Sequence, residues 1–195
     1  MSTEAHLALR NQRQRGASLI MVMLILVVVS LLGVGGAQIA LMSERGARNA
    51  RDQQVAWQAA EAALSDAELE LGGPAGSSLR KALFDGVNVS AFPQSCGTSG
   101  NSNGLCNLVT SGKPAWLTAD FTASGSGAPT TQFGTFTGRT FAAGGVGIQP
   151  AKAPRYIIEV VPDPAIKDSY LYRVTAMGFG PRADIQVMLQ MLYRI

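Results

Sequence analysis

Ala17 to Met42 contains no Asp, Glu, Lys, Arg or His. No other feature constrains the chain as strongly. A helix of that length would span ~39 Å, more than the ~30 Å hydrocarbon core of a bilayer. The run starts directly after Arg15-Gly16, the end of a charged leader. The segment therefore decides where the protein resides, and its boundary glycine bears on what the chain becomes.

At 195 residues the chain has room for one membrane segment and one modest domain. Its net charge of +3 invites a nucleic-acid reading, which the charge map weakens. Arg10, Arg13 and Arg15 precede the apolar run, against Glu4 alone. Without the first sixteen residues, 13 basic residues face 12 acidic ones, a balance of +1. No Lys/Arg run follows, so no nucleic-acid partner is expected. His6, the single histidine, lies in the leader. A processed chain would have none, which excludes histidine-based nucleophile sites and His-ligated metals. No catalytic set, cofactor or metal is expected, and the chain is not read as an enzyme. Cys96 and Cys106 enclose a short polar loop. Beyond a membrane segment, C-x9-C reads as a disulfide made in an oxidising compartment; the alternative is a reduced pair. Zinc would need two further ligands.

Met1 to Gly16 is polar and lacks the apolar core of an ordinary secretory signal. Within the apolar run, Gly33, Gly35 and Gly36 cluster. They fit either a kink or locally melted turn in a helical bundle, or a close helix–helix contact. Ser43 to Leu71 continues the helical pattern. Ala56, Ala59, Ala60, Ala63, Ala67 and Leu71 recur at three- and four-residue steps and define one apolar face. Glu61, Asp66, Glu68 and Glu70 are expected off that face, in solvent. Gly72-Gly73-Pro74 stops the helix.

Ala75 to Pro154 is rich in Gly, Ser, Thr and Ala and reads as long surface loops with a few apolar anchors. A short helical turn is expected over Leu79–Phe84, and one irregular strand near Phe133, Phe136 and Phe141. The C-terminal part alternates with period two: Tyr156–Val161, then Tyr170 to Ala176, then Ile185 to Tyr193. This predicts a three-stranded antiparallel meander with one face open to the alanine-rich helix. The fold class is α+β, a long N-terminal α-helix packed on a C-terminal antiparallel β-sheet.

A basic leader ending in Arg15-Gly16, the apolar segment behind it and this architecture together resemble the type IV pilin superfamily. Within it, the PilX family of minor pilins is the most similar. Gln14-Arg15-Gly16-Ala17-Ser18-Leu19-Ile20, Gln58-Ala59-Ala60-Glu61-Ala62-Ala63-Leu64, Gly104-Leu105-Cys106, Tyr172 to Ala176 and Gln186 to Gln190 carry the likeness. Ser77 to Pro154 adds little beyond the cysteine loop. The resemblance implies a prepilin leader over 1–16, cleaved between Gly16 and Ala17, with methylation of the Ala17 amine. It implies a transmembrane and filament-core helix over 17–42, an amphipathic continuation over 43–71 and a periplasmic globular head over 72–195.

Major pilins carry glutamate at the fifth residue after the cut; here that place is Met21. A buried charge is tolerable only when paired, and that glutamate pairs with the terminal amine of the subunit above. Met21 cannot do so, and a subunit at the extreme tip has no need to. The expected function is therefore a minor pilin that primes pilus assembly in a tip-located complex supporting adhesion and twitching motility. Implied partners are prepilin peptidase, the inner membrane before assembly, other minor pilins, the major pilin and a tip-associated adhesin. The expected localisation is the inner membrane, single pass with the head in the periplasm, and then the pilus tip. Three rival readings use the same residues. One is a type II secretion pseudopilin of the GspK kind, although 179 mature residues leave little room for its usual inserted domain. Another is a surface- or DNA-binding pilin module, for which Arg139, Lys152 and Arg155 are the candidates, against a reading as scattered solubilising charges. The third is an anchored enzyme, with Asp163 and Asp168 flanking a turn as calcium ligands or simple turn caps.

Overall fold

The computed structural model describes residues 17–195, and the chain divides into two units, one ending at Arg48 and the other Asn49–Ile195. The leader, with Gly16 and His6, lies outside the described residues. Helix α1, Ala17–Gly72, contributes to both units.

In the first unit every large apolar side chain from Leu19 to Met42 is exposed, from 50% at Val22 to 72% at Met42. This is the one helix among the described residues that is long and apolar enough to cross a membrane. The helix is unbroken through Gly33, Gly35 and Gly36, and the space beside each is open. Ser30 Oγ donates to the Leu26 carbonyl at 2.7 Å. That bond satisfies the hydroxyl inside an apolar stretch.

The second unit uses the rest of α1 differently. Ala56, Ala59, Ala60, Ala63, Ala67 and Leu71 are all at most 2% exposed. Ala63, Ala67 and Leu71 pack into a core with Phe84, Phe92, Leu105 and one face of the sheet. Alanine matters because the sheet comes very close. A Cβ on Gly178 would lie 2.1 Å from the Ala56 carbonyl oxygen and 2.3 Å from the Ala60 nitrogen. Only glycine fits there.

Strands β1 (Leu105–Cys106), β2 (Thr131–Gln132), β3 (Arg155–Pro162), β4 (Tyr170–Phe179) and β5 (Gln186–Tyr193) form one sheet. A four-residue helix α2, Ala115–Thr118, lies between β1 and β2. The expected antiparallel meander is β3-β4-β5. Its register aligns Tyr156, Ala176 and Leu189 in one row, Ile158, Val174 and Met191 in the next, and Val160, Tyr172 and Tyr193 in a third. These rows face the helix core. Two short strands line its free edge: β1, which was not expected, runs parallel to β3, and β2 runs antiparallel to it. On the far face Ile157 packs with Cys106, Ala115 and Phe121, so β3 is buried on both sides.

A 3₁₀ turn over Lys81–Leu83 falls within the expected helical stretch. The strand near the phenylalanines lies earlier than expected, at Thr131–Gln132. Beyond it the chain curls instead of extending. The Gly134 N–H and the Thr137 hydroxyl turn inward to one buried carboxylate, that of Asp66, at 2.8 and 2.6 Å.

Candidate functional site

A buried polar centre joins the end of α1 to the head loops. It overturns one expectation. Glu61 and Glu68 are exposed, but Asp66 and Glu70 are 0% exposed. They belong to the packed stripe: the sequence Ala59, Ala63, Asp66, Glu70 steps by four, three and four residues. The same spacing that marks the alanine face therefore carries two carboxylates into the core.

Burial of a carboxylate requires partners. Glu70 has two. Arg80 Nε donates to its Oε1, and the Tyr156 hydroxyl donates to its Oε2 at 2.6 Å. Arg80 is itself buried at 1% exposure. It spends its other donors on the carbonyls of Asn101 (2.9 Å) and Asn103 (2.5 Å) and on Thr131 Oγ1 (3.3 Å). Its guanidinium also lies 3.7 Å from the Phe136 ring centroid, a desolvated cation–π contact. Burial first, and then the Glu70 carboxylate, hold the Tyr156 phenol well above the ordinary tyrosine range, so it remains a donor. Asp66 accepts from the Gly134 N–H and Thr137 and pairs with Arg139 at 3.6 Å.

The cysteine loop supplies part of this centre. Cys96 and Cys106 are joined by a disulfide, and Asn101 and Asn103, whose carbonyls receive Arg80, lie inside the loop it closes. Gly104 completes the fit. Its φ is +68°, and a Cβ there would lie 2.3 Å from Thr131 Oγ1. Its carbonyl accepts from the Ile158 N–H at 2.8 Å. The disulfide loop, the sheet edge and the helix end are thus locked through Arg80.

The other singled-out residues fall elsewhere. Ala17 opens α1, and Met21 is 67% exposed on its apolar segment. Arg139 and Lys152 are exposed, as expected of solubilising charges, and Arg155 is not. Arg139 lies over Phe133 and Lys152 over Phe179, while Arg155 is 7% exposed and bonded to Thr130. Asp163 is buried. It caps the Ala165 N–H at 2.8 Å and pairs with Arg194 at 2.9 Å. Asp168 sits in a tight turn at φ +61°. Among the described residues, no group of three or more His, Cys, Asp or Glu is placed to hold a metal.

Comparison with known proteins agrees with this anatomy. Residues 15–65 match the PilX N-terminal family model, and residues 102–195 match the model for the type IV pilus assembly protein PilX C-terminal region. No curated protein and no solved structure matches the chain. The two family models cover α1 as far as Ser65 and all five strands, and the chain belongs to the PilX family of type IV pilus assembly proteins.

Proposed function

We propose that this chain is a minor pilin that primes type IV pilus assembly from a tip-located minor pilin complex supporting adhesion and twitching motility. The observation that carries the reading is the charge-free half of α1, whose apolar side chains have no partner in their own unit. Such a surface must be covered by lipid or by other subunits. The inner membrane covers it before assembly, with the head in the periplasm. Neighbouring pilin helices cover it afterwards. Apolar surface stays out of water in both states, so that contribution largely cancels. Helix packing, head contacts and the assembly motor must supply the rest. The protein acts by assembly, not by catalysis.

Processing between Gly16 and Ala17, with methylation of Ala17, releases the helix for this transfer. Met21 removes the acid that would pair with the amine of a subunit above, which suits a subunit at the tip. A head held together by its own buried ion pairs and disulfide suits an exposed end that must present a fixed surface to an adhesin. Immunogold labelling of the full chain on pili tests the placement. Label at fibre ends is expected, and even label along the shafts would refute tip placement. Intact-mass analysis of the mature protein should find methylated Ala17 as the first residue, and retention of Met1 in peptidase-positive cells would refute the processing.

A further inference from the structure

Seven arginines lie between Asn49 and Ile195. Six have an acid within salt-bridge distance: Arg51, Arg80, Arg139, Arg173, Arg182 and Arg194. Arg155 is the exception among the described residues, although it is 7% exposed. Only neutral acceptors hold it. Nε donates to Thr130 Oγ1 at 2.7 Å, Nη2 to the Thr130 carbonyl at 2.6 Å and Nη1 to Gln132 Oε1 at 3.3 Å. A guanidinium has five N–H donors, so two are not used by these bonds. Burial works against the Arg155 cation, and Asp120 offsets this only from beyond salt-bridge range. Arginine nonetheless stays charged at neutral pH. A buried cation without a counter-ion is costly, and the other buried arginine of this head, Arg80, avoids the cost by pairing with Glu70.

Arg155 lines a cleft of 590 Å³ and is the single charged residue in its wall. The rest is neutral and polar, including Asn101, Asn103, Ser126 and Gln132, with Phe136 as the one aromatic. Arg80 lies behind this wall and is already neutralised by Glu70. The rim at Gly125 to Gly127 is exposed, with open space beside both glycines. A chain segment can therefore lie across it.

We infer that this cleft is a carboxylate site, which seats an Asp or Glu side chain of a partner pilus subunit against Arg155. One carboxylate matches one guanidinium in charge and in planar fork geometry. A phosphate would bring a second negative charge into an otherwise neutral wall. The choice of a pilus subunit as partner rests on the assembly function proposed above. The site itself rests on the unpaired cation and the open polar cleft.

The test uses the full chain in pilus-forming cells, with a photo-crosslinking amino acid in place of exposed Ser126. The expected product joins this protein to another pilus subunit through a segment containing Asp or Glu. Arg155→Gln should reduce its yield about tenfold or more, and Arg155→Lys should restore part of it. Unchanged yield in a folded R155Q protein would overturn the carboxylate site, as would a crosslinked segment without an acid. If R155Q fails to fold, Ser126→Trp gives the second measurement. It fills the rim and leaves the Thr130 bonds of Arg155 intact, and it should lower co-purification of the acidic partner about tenfold. Undiminished co-purification would overturn the site. Absence of a crosslink while the protein still co-purifies with pilus subunits refutes this cleft alone. Absence of both refutes the assembly function as well.

Discussion

The two halves of α1 solve opposite problems. From Leu19 to Met42 the helix carries no charge, and its large apolar side chains are exposed. From Ala56 to Leu71 it carries four acids, yet its packed stripe is essentially inaccessible and includes two of them. The first half leaves its stabilisation to whatever surrounds it. The second obtains it from Arg80, Tyr156 and the sheet. The proposed exchange of lipid for protein neighbours therefore falls on one half, and the buried core on the other.

The sharpest way to break this contrast is Glu70→Ala. It leaves Arg80 buried without its acid, and removing one partner of a buried pair costs about 3–5 kcal/mol. Thermal unfolding of the full chain in detergent micelles should show that loss, and a melting temperature equal to wild type would refute the role of the centre. The matching change in the other half is Val28→Lys. It should weaken membrane insertion by about 2.5–3.5 kcal/mol and shift head melting by no more than about 0.5 kcal/mol. Fractionation and melting of the same variant check both arms. If head melting collapses too, the halves are not independent.

Opening the disulfide comes next. Closing a loop of this size contributes about 2–3 kcal/mol, so Cys96→Ser with Cys106→Ser should destabilise the head by that amount. Because Asn101 and Asn103 receive Arg80, the same variant should weaken the Glu70 centre. A double-mutant cycle with E70A that is strictly additive would refute the coupling.

The smallest expected effect is that of Tyr156→Phe, which leaves one Glu70 oxygen without its donor and costs about 1–2 kcal/mol. Its signature is a pH dependence. The folded phenol is held above its ordinary value, chiefly by burial, while the unfolded phenol titrates near about 10. Its contribution is therefore complete below pH ~10 and is lost as the pH climbs from there towards the folded value. Wild-type stability should fall more steeply above pH ~10 than that of Y156F. Parallel alkaline curves would show that Tyr156 does not carry the difference.

Much of this anatomy was legible because it repeats. The 3.6-residue period exposed the alanine stripe, and the two-residue period exposed the three long strands. The centre was harder to read. Asp66 and Glu70 lie on the stripe by spacing, but acids on helices usually meet solvent, and their partners stand far off in sequence, at Arg80, Gly134 and Tyr156. Strands β1 and β2 have two residues each, too few to show any alternation. The isolation of Arg155 could not be read at all, because a missing counter-ion is a property of neighbours in space.

The amino-acid sequence by itself determined the uncharged helix, the three long strands and the cysteine spacing, because each depends on local periodicity, charge or spacing. Tertiary structure alone decided which charges are buried and which cation lacks an acid. Desolvation and pairing depend on groups that the fold, not the chain order, brings within a few ångströms.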